Sequence, residues 1–514
     1  MNRESQDKKE FVIDRASALQ SETQMQSQLI ESGGEFVLPD YMPKIQKVLR
    51  LEARALPPSR YVGGNSVQMS GNVLHTLIYL GEDGETGATV LPSKYEFSLP
   101  VSGTPTPTVT SSVEVDGLTY RITAPRKLNI RTRLGIKSHC FAAEDVSADI
   151  TPVDALNVSK LYGVADTLKT QILNSSDIQI SDRVETSGAD GSRLLWCGSA
   201  AAVTDARATD GGVTVRGEVL AKVLVDENGT PRMYTKKIPF DEFLDGDVTR
   251  ASAVCAVAHV ISTEAAKESD REVTVDSVIS VEVTADTPTA VSVMKDAFSC
   301  DVSASCSHRT VKSSRLALSR SGVYTVGASV AKANAGAAEA TSVIDTSGKA
   351  VIEESAASAG KITVSGRCEL SSIIGTDGGV TSADYTVPFS IALDCDTSAD
   401  TAVTACATLI NPRVRVEDDN LVCDMDIALS VRATQEKEER ILASVDCTSK
   451  EQYKKSTYPL CLIYPNGESL WNLAKKYHVN PESLAKVNAL EISESDYTRP
   501  EALSGVRSLM LEFK

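Results

Sequence analysis

Cys300, Cys306 and His308 form the only local trio of cysteine and histidine in the sequence, and Cys255 stands four residues before His259. Thiolate and imidazole are ligands that zinc prefers, but a closed site takes four of them, with paired spacing such as C-x-x-C. No C-x-x-C occurs, and five histidines in all leave few further ligands. Both groups therefore read as structural, and neither a metal nor a cofactor is expected. Gly81, Gly84 and Gly87 fall at intervals of three without a G-K-[ST] or a following helix, so they read as hairpin turns and not a phosphate loop. Neither a G-x-S-x-G elbow nor an H-E-x-x-H helix is present. Carboxylates are plentiful, but catalysis by a carboxylate pair depends on separation in space, and most sit on the wet faces of alternating strands. No catalytic residue is assigned, and the chain reads as a non-enzyme.

The elements around these residues repeat. Val67-Gln68-Met69-Ser70-Gly71, Val213-Thr214-Val215-Arg216-Gly217 and Ile362-Thr363-Val364-Ser365-Gly366 are one short strand met three times, each ending in glycine. Each opens a β run closed by Asp83-Gly84, Asn228-Gly229 or Asp377-Gly378. Such dipeptides suit the positive φ angles of a type I′ turn, so three hairpins are predicted. The returning strand carries Pro239-Phe240 and Pro388-Phe389 in the later copies, which aligns Glu96-Phe97 with them in the first. Further on, three runs alternate with period two: Leu128 to Cys140, Val273 to Ala285 and Leu421 to Ala433. Alternation that long predicts a strand with one face buried and one wet. Segments rich in Ser, Thr, Ala and Gly separate the copies. The expected units are 1–150, 151–312 and 313–452, each folding separately, with a short polar helix over Ser17 to Ile30.

Composition agrees with many small strands. The chain has 514 residues, and a prior of roughly 150 per domain gives three to four domains. A formal net charge of −17 argues against a grip on nucleic acid or on anionic lipid. Hydrophobic content of 42 % excludes general disorder, while aromatics at 5 % disfavour large ligand pockets. The opening MNRESQDKKE and Asp14 leave no apolar signal region, and no stretch offers the roughly 20 apolar residues of a membrane helix. The 11 cysteines are odd in number and scattered, which reads as reduced thiols in a cytosol.

After Lys450 the pattern changes. Leu460 to Tyr464 reads as a strand and Pro465-Asn466-Gly467-Glu468 as a turn. Leu470, Leu473, Ala474 and Tyr477 mark one face of a helix. Asn480-Pro481-Glu482 opens a second helix: Asn caps it, Pro fits its first position and Glu suits its positive end. Leu509-Met510-Leu511 can return as a strand, giving a β-α-α-β order. Trp471 lies roughly 110° from the centre of the apolar stripe, with Lys475 on the same flank. The pair is expected to face a partner as an exposed anchor, the other reading being that the Trp471 ring seals the small core.

The run from Tyr464 to Tyr477 resembles the opening of a LysM domain, and Asn480 to Leu490 is similar to its second helix and following Asn-x-Leu. The upstream copies, with Leu38-Pro39-Asp40-Tyr41-Met42-Pro43-Lys44-Ile45 as a Pro-rich lead-in, resemble the SPOCS domains of spore-coat morphogenesis proteins. Together the order resembles the SipL-like family of clostridial spore formers. The resemblance implies a mainly β protein: three tandem SPOCS-like domains followed by a LysM domain over 453–514. A LysM groove implies glycan contact through Pro465, Asn466, Gly467, Glu468 and Ser469 with Asn488, Ala489 and Leu490. Glu468 replaces the usual Asp, and the usual Gly-x-x-Leu-x-Ile-Pro close is absent. The SipL-like pattern implies instead that this domain docks onto stage IV sporulation protein A, the coat ATPase on the forespore surface.

Two functions compete on this reading. One is a scaffold of spore coat assembly in the mother-cell cytoplasm, joining that ATPase to other coat proteins. The other is a peptidoglycan-binding protein of cortex or wall. A cell-wall hydrolase, the third, lacks a catalytic constellation.

Overall fold

A computed structural model describes residues 18–63, 66–82, 84–100, 108–152, 157–454 and 460–512. Strands take about 74 % of the chain and helices about 5 %, which makes the protein mainly β. The first unit comprises β1 (Ala18–Val37), β2 (Ile45–Ala55), β3 (Ser59–Gly63), β4 (Ser66–Gly81), β5 (Thr86–Pro100), β6 (Thr108–Ala124) and β7 (Lys127–Asp145). A short β8 (Asp149–Thr151) follows. The second unit runs through β9 (Val158–Glu185), β10 (Arg193–Thr209), β11 (Gly212–Glu227), β12 (Thr230–Asp245), β13 (Ala253–Lys267) and β14 (Glu272–Ser299). The third repeats that order with β15 (Ser305–Ala331), β16 (Ser342–Ser358), β17 (Lys361–Thr376), β18 (Gly379–Asp394), β19 (Thr401–Glu417) and β20 (Asn420–Asp446).

One topology recurs three times. In the second unit the antiparallel sheets are β10-β11-β12 and β13-β14-β9, and in the third β16-β17-β18 and β15-β20-β19. The first unit has β1-β7-β6 and a sheet in which β2 and β3 both pair with β4 beside β5. There the strand equivalent to β10 and β16 is broken at Pro57-Pro58, which have no N–H for the ladder. The central strands are the glycine-anchored hairpin strand and the long alternating one. All seven inward residues of each alternating run are buried, so the period-two reading holds in all three units. Lys312 falls inside β15, opposite Glu438, so strand pairing puts the second join between Ser299 and Ser305 and not at 312.

The anchor glycines sit where a facing ring or a neighbouring carbonyl leaves no room for a side chain. Gly71 sits opposite Tyr95, Gly217 opposite Phe240 and Gly366 opposite Phe389. A Cβ on Gly71 or Gly217 would collide with the facing ring, and one on Gly366 with the Val351 carbonyl. The equivalent of Phe240 in the first unit is thus Tyr95, not Phe97, and its hydroxyl donates to the Leu56 carbonyl at 2.5 Å. The aromatic ring covers a backbone that has no side chain of its own.

Two local expectations change. The segment 18–30 is strand, not helix: β1 pairs with β7 from Ala18 to Val37, while Ser17 lies outside the described residues. The open edge of β7 offers a full ladder, and that pairing outweighs the local preference of a Gln- and Ser-rich segment. At the hairpins, Asn228 (φ 55°) and Gly229 (φ 86°) form the predicted left-handed pair. In the third unit the positive φ moves to Gly379 (119°), one residue past Asp377-Gly378, and Asp83 lies outside the described residues.

The three units meet through equivalent residues. A bulge in β2, β10 and β16 brings Arg50 opposite Ile78, Trp196 opposite Leu224 and Asp345 opposite Ile373. Ile78, Leu224 and Ile373 each lie seven residues after an anchor glycine, and they pack into one cluster with Leu49. A second shared cluster joins Leu19, Ala165 and Val311 to Val146, Val293 and Ile441. Between the units, Arg50 Nη1 donates to Asp345 Oδ2 at 2.5 Å and Lys222 Nζ to Asp345 Oδ1 at 2.9 Å. The copies therefore share buried contacts, which a copy on its own would leave exposed.

The turn geometry makes a differential prediction. Gly229→Ala should cost about 1–2 kcal/mol, the penalty of a left-handed residue with a Cβ, and Gly379→Ala at least as much. Gly378→Ala should cost clearly less, as read from urea unfolding curves; equal losses at 378 and 379 would contradict the turn assignment.

Candidate functional site

The C-terminal unit consists of β21 (Leu460–Ile463), α1 (Leu470–Tyr477), α2 (Pro481–Val487) and β22 (Leu509–Glu512), with β21 and β22 antiparallel. Between β21 and α1, Asn466 (φ 48°) and Gly467 (φ 80°) turn the chain, and the Glu468 N–H donates to the Pro465 carbonyl at 2.8 Å. Ser469 caps α1 by accepting from the Asn472 N–H at 3.3 Å. Asn480 caps α2 by accepting from the Ser483 N–H at 3.1 Å, with Pro481 in the first turn. Each cap satisfies a donor that a helix start leaves unpaired. His478 (φ 56°) closes α1 in the left-handed conformation.

The residues expected to form a groove have distinct local duties. Pro465 and Ser469 are buried, Asn466, Gly467 and Ala489 are exposed, and Glu468, Asn488 and Leu490 are half-buried. Glu468 pairs with Lys476 at 2.8 Å along the surface. Asn488 ties α2 to β22: its Nδ2 donates to the Leu484 and Met510 carbonyls, both at 2.8 Å, and its Oδ1 accepts from the Met510 N–H at 2.6 Å. Ala489 takes a positive φ of 49° to leave the helix. Among the described residues no hydrogen bond joins 466–468 to 488–490.

Trp471 and Lys475 are brought together, but on the protein's own second unit. Trp471 is 2 % exposed, and its Nε1–H donates to Asp296 Oδ2 at 2.9 Å. Lys475 Nζ reaches both oxygens of the same carboxylate, at 2.7 and 2.9 Å. The indole meets the Phe298 ring edge-on, with centroids 5.0 Å apart, in a cluster that also takes Leu161. The exposed-anchor expectation for Trp471 is corrected: an i, i+4 pair on the flank of α1 clasps one carboxylate. Asp296 stands where the pairing of β14 with β9 shifts register after Met294, at a bulge. Its role left no trace in the sequence, because 175 residues separate it from Trp471. Tyr453 completes the seating by stacking on His478, with centroids 3.4 Å apart.

With that flank occupied, the free apolar surface lies elsewhere on the same unit. Leu460, Leu462 and Tyr464 alternate outward and are 55, 66 and 67 % exposed. Met510, directly opposite Leu462, and Val487 in the last turn of α2 are exposed beside them. Singly such residues mean little, but a contiguous set of them marks an interaction surface. The sequence marks Leu460 to Tyr464 as a strand, and period two on a two-stranded sheet leaves one of its faces open.

The residues first considered for chemistry do not converge. Cys306 Sγ donates to the Ala297 carbonyl at 3.2 Å, and Cys300 Sγ lies 3.7 Å from Ser159 Oγ. Among the described residues no three of His, Cys, Asp and Glu are placed to hold a metal ion. Burial pushes the Cys197 and Cys368 thiols up to about 11, which keeps them protonated and poorly nucleophilic near neutral pH. Comparison with known proteins adds nothing further: no family model, no curated protein and no solved structure matches the chain.

Asp296→Ala removes the shared acceptor of Trp471 and Lys475. Tryptophan emission of the full chain should shift to the red and become more accessible to acrylamide, because the indole loses its only buried acceptor. Unchanged quenching would show that the contact with the second unit does not hold Trp471.

Proposed function

We propose that the chain is a non-enzymatic adaptor of bacterial spore envelope assembly. The β-sandwich units form the platform, and the C-terminal LysM-like unit docks onto a stage IV sporulation protein A-like ATPase at the forespore surface. The observation that carries this reading is the apolar face of Leu460, Leu462, Tyr464 and Met510 on a unit that is anchored to the platform through another face. A protein partner can bury such aliphatic surface at about 25 cal/mol per Å²; glycan recognition would ask more of polar groups and aromatic rings. The strand-turn-capped-helix order of the unit supports the LysM likeness, and the three equivalent sandwiches support a SPOCS-like platform open to other coat proteins. Among the described residues no helix is long and apolar enough to cross a membrane. The setting proposed is the mother-cell cytoplasm.

Full-length protein should bind the purified ATPase, and Leu462→Lys or Met510→Lys should weaken that binding at least tenfold without moving the melting temperature. Cosedimentation with insoluble peptidoglycan, with no binding to the ATPase, would replace this reading with the wall-binding one.

A further inference from the structure

The long alternating strands of the three units share one pattern of buried residues but differ in the charges on their wet faces. Counting three residues on from Leu128, Val273 and Leu421 reaches Arg131 on β7, Asp276 on β14 and Asp424 on β20. These are one register position in three copies, and it lies on the face turned away from the unit's own core. In the third unit its charge is met internally, because Arg415 donates to Asp424 at 2.7 Å. In the first, strand pairing sets Arg131 between Gly33 of β1 and Thr119 of β6, with Arg121 diagonal to it on the same face. Both arginines are exposed, and among the described residues neither guanidinium has an ion pair. The other cations of that face are used: Lys127 pairs with Glu35, Arg133 with Asp116 and Lys137 with Glu114. Glu31 stands opposite Arg133, diagonal to Arg131 and not bonded to it. Nor does a side chain cover Arg131 from β1, since a Cβ on Gly33 would collide with the Ile130 carbonyl.

The second unit carries the opposite arrangement. Asp276 lies between Ser181 of β9 and Glu264 of β13, so two carboxylates stand directly opposite each other. Both are exposed, and among the described residues neither has a cation beside it. Like charges placed so on a sheet repel and destabilise it. Glu185 is exposed on the same face without an ion pair among the described residues, and Arg183 on that face is taken by Glu272. Each face thus satisfies most of its charges within its own sheet. What is left over is cationic on the first unit and anionic on the second, at the equivalent register position.

We infer that these faces are the two halves of a contact between copies of this chain. The Arg121 and Arg131 face of one molecule docks on the Glu264 and Asp276 face of the next. A guanidinium meets a carboxylate through paired N–H donors, which favours this pairing over a contact between two like faces. Apolar surface accompanies the arginines: Leu29 lies over Gly135 on the same face and is 66 % exposed, and Val37 opposite Lys127 is 59 % exposed. Exposed apolar side chains beside unpaired charges give a partner something to bury. The two faces belong to different units, so each contact leaves an arginine face free on one copy and a carboxylate face free on the other. Such a head-to-tail contact repeats from copy to copy and gives the assembly a direction. It is separate from the docking face of the C-terminal unit.

The test is static light scattering of the full chain over a range of concentrations. At low ionic strength the mass should rise above that of one chain, and it should fall back in high salt, which screens exposed charges. Arg121→Gln with Arg131→Gln should weaken the association at least tenfold, and so should Glu264→Gln with Asp276→Asn. Neither double variant breaks an ion pair among the described residues, so melting temperatures should stay near wild type. Each keeps one sound face, and an equimolar mixture of the two should therefore form a pair of chains and nothing larger. Leu462→Lys, on the C-terminal unit, should assemble like the wild type. A wild-type chain that stays monomeric at low salt, double variants that assemble as it does, or a mixture that stays monomeric would each overturn the inference.

Discussion

The carboxylate of Asp345 is where the three repeats are held to one another. It is 5 % exposed and sits between Arg50 of the first unit and Lys222 of the second. Arg50 also donates to the carbonyls of Asp345 and Ser371, and Lys222 to that of Thr346, so the cations have fixed acceptors besides the carboxylate. Burial alone would push the Asp345 carboxyl up, but Lys222 and Arg50 bring it below the usual carboxylate range. A depressed folded-state pKa means the contribution is complete above the unfolded value of about 4. It is lost as pH falls through the folded value, so the junction is intact at neutral pH and weakens in acid.

Such an ion pair is a device of specificity more than of net stability. Removing one partner of a buried pair costs about 3–5 kcal/mol, because the other charge stays buried and unpaired, whereas a well-packed apolar substitute is often as stable. Here the chemistry has a further logic. Arg50, Trp196 and Asp345 occupy one equivalent bulge position in the three units. Three identical residues could not supply a cation, an indole and an anion at one junction. The difference between them fixes which unit stands beside which, while Ile78, Leu224 and Ile373 supply the non-selective apolar contact.

Periodicity made the interior of each unit legible. The alternating runs in β7, β14 and β20, the glycine anchors and the capped helices of the C-terminal unit all follow from local spacing. Contacts between units were not legible, because Arg50 and Asp345 are 295 residues apart and Trp471 and Asp296 are 175 apart. Trp471 sat at the right place on its helical wheel to leave the small core, but the wheel does not say what covers the flank. The Gln- and Ser-rich β1 was misread for the same reason, since its partner β7 begins about 90 residues later along the chain. The result is a platform whose C-terminal unit is seated on the second repeat and presents Leu462 and Met510 outward.

The central claim is that the repeats unfold as one coupled body around this junction. The chain has two tryptophans, and Trp196 packs at the shared apolar cluster. With Trp471→Phe as background, Trp196 of the second unit is the one remaining tryptophan, while Asp345→Asn alters a residue of the third. Urea unfolding followed by this fluorescence and by far-UV circular dichroism should show both transitions moving together to lower denaturant in Asp345→Asn. A Trp196 transition that stays in place while the dichroism transition splits would contradict the account.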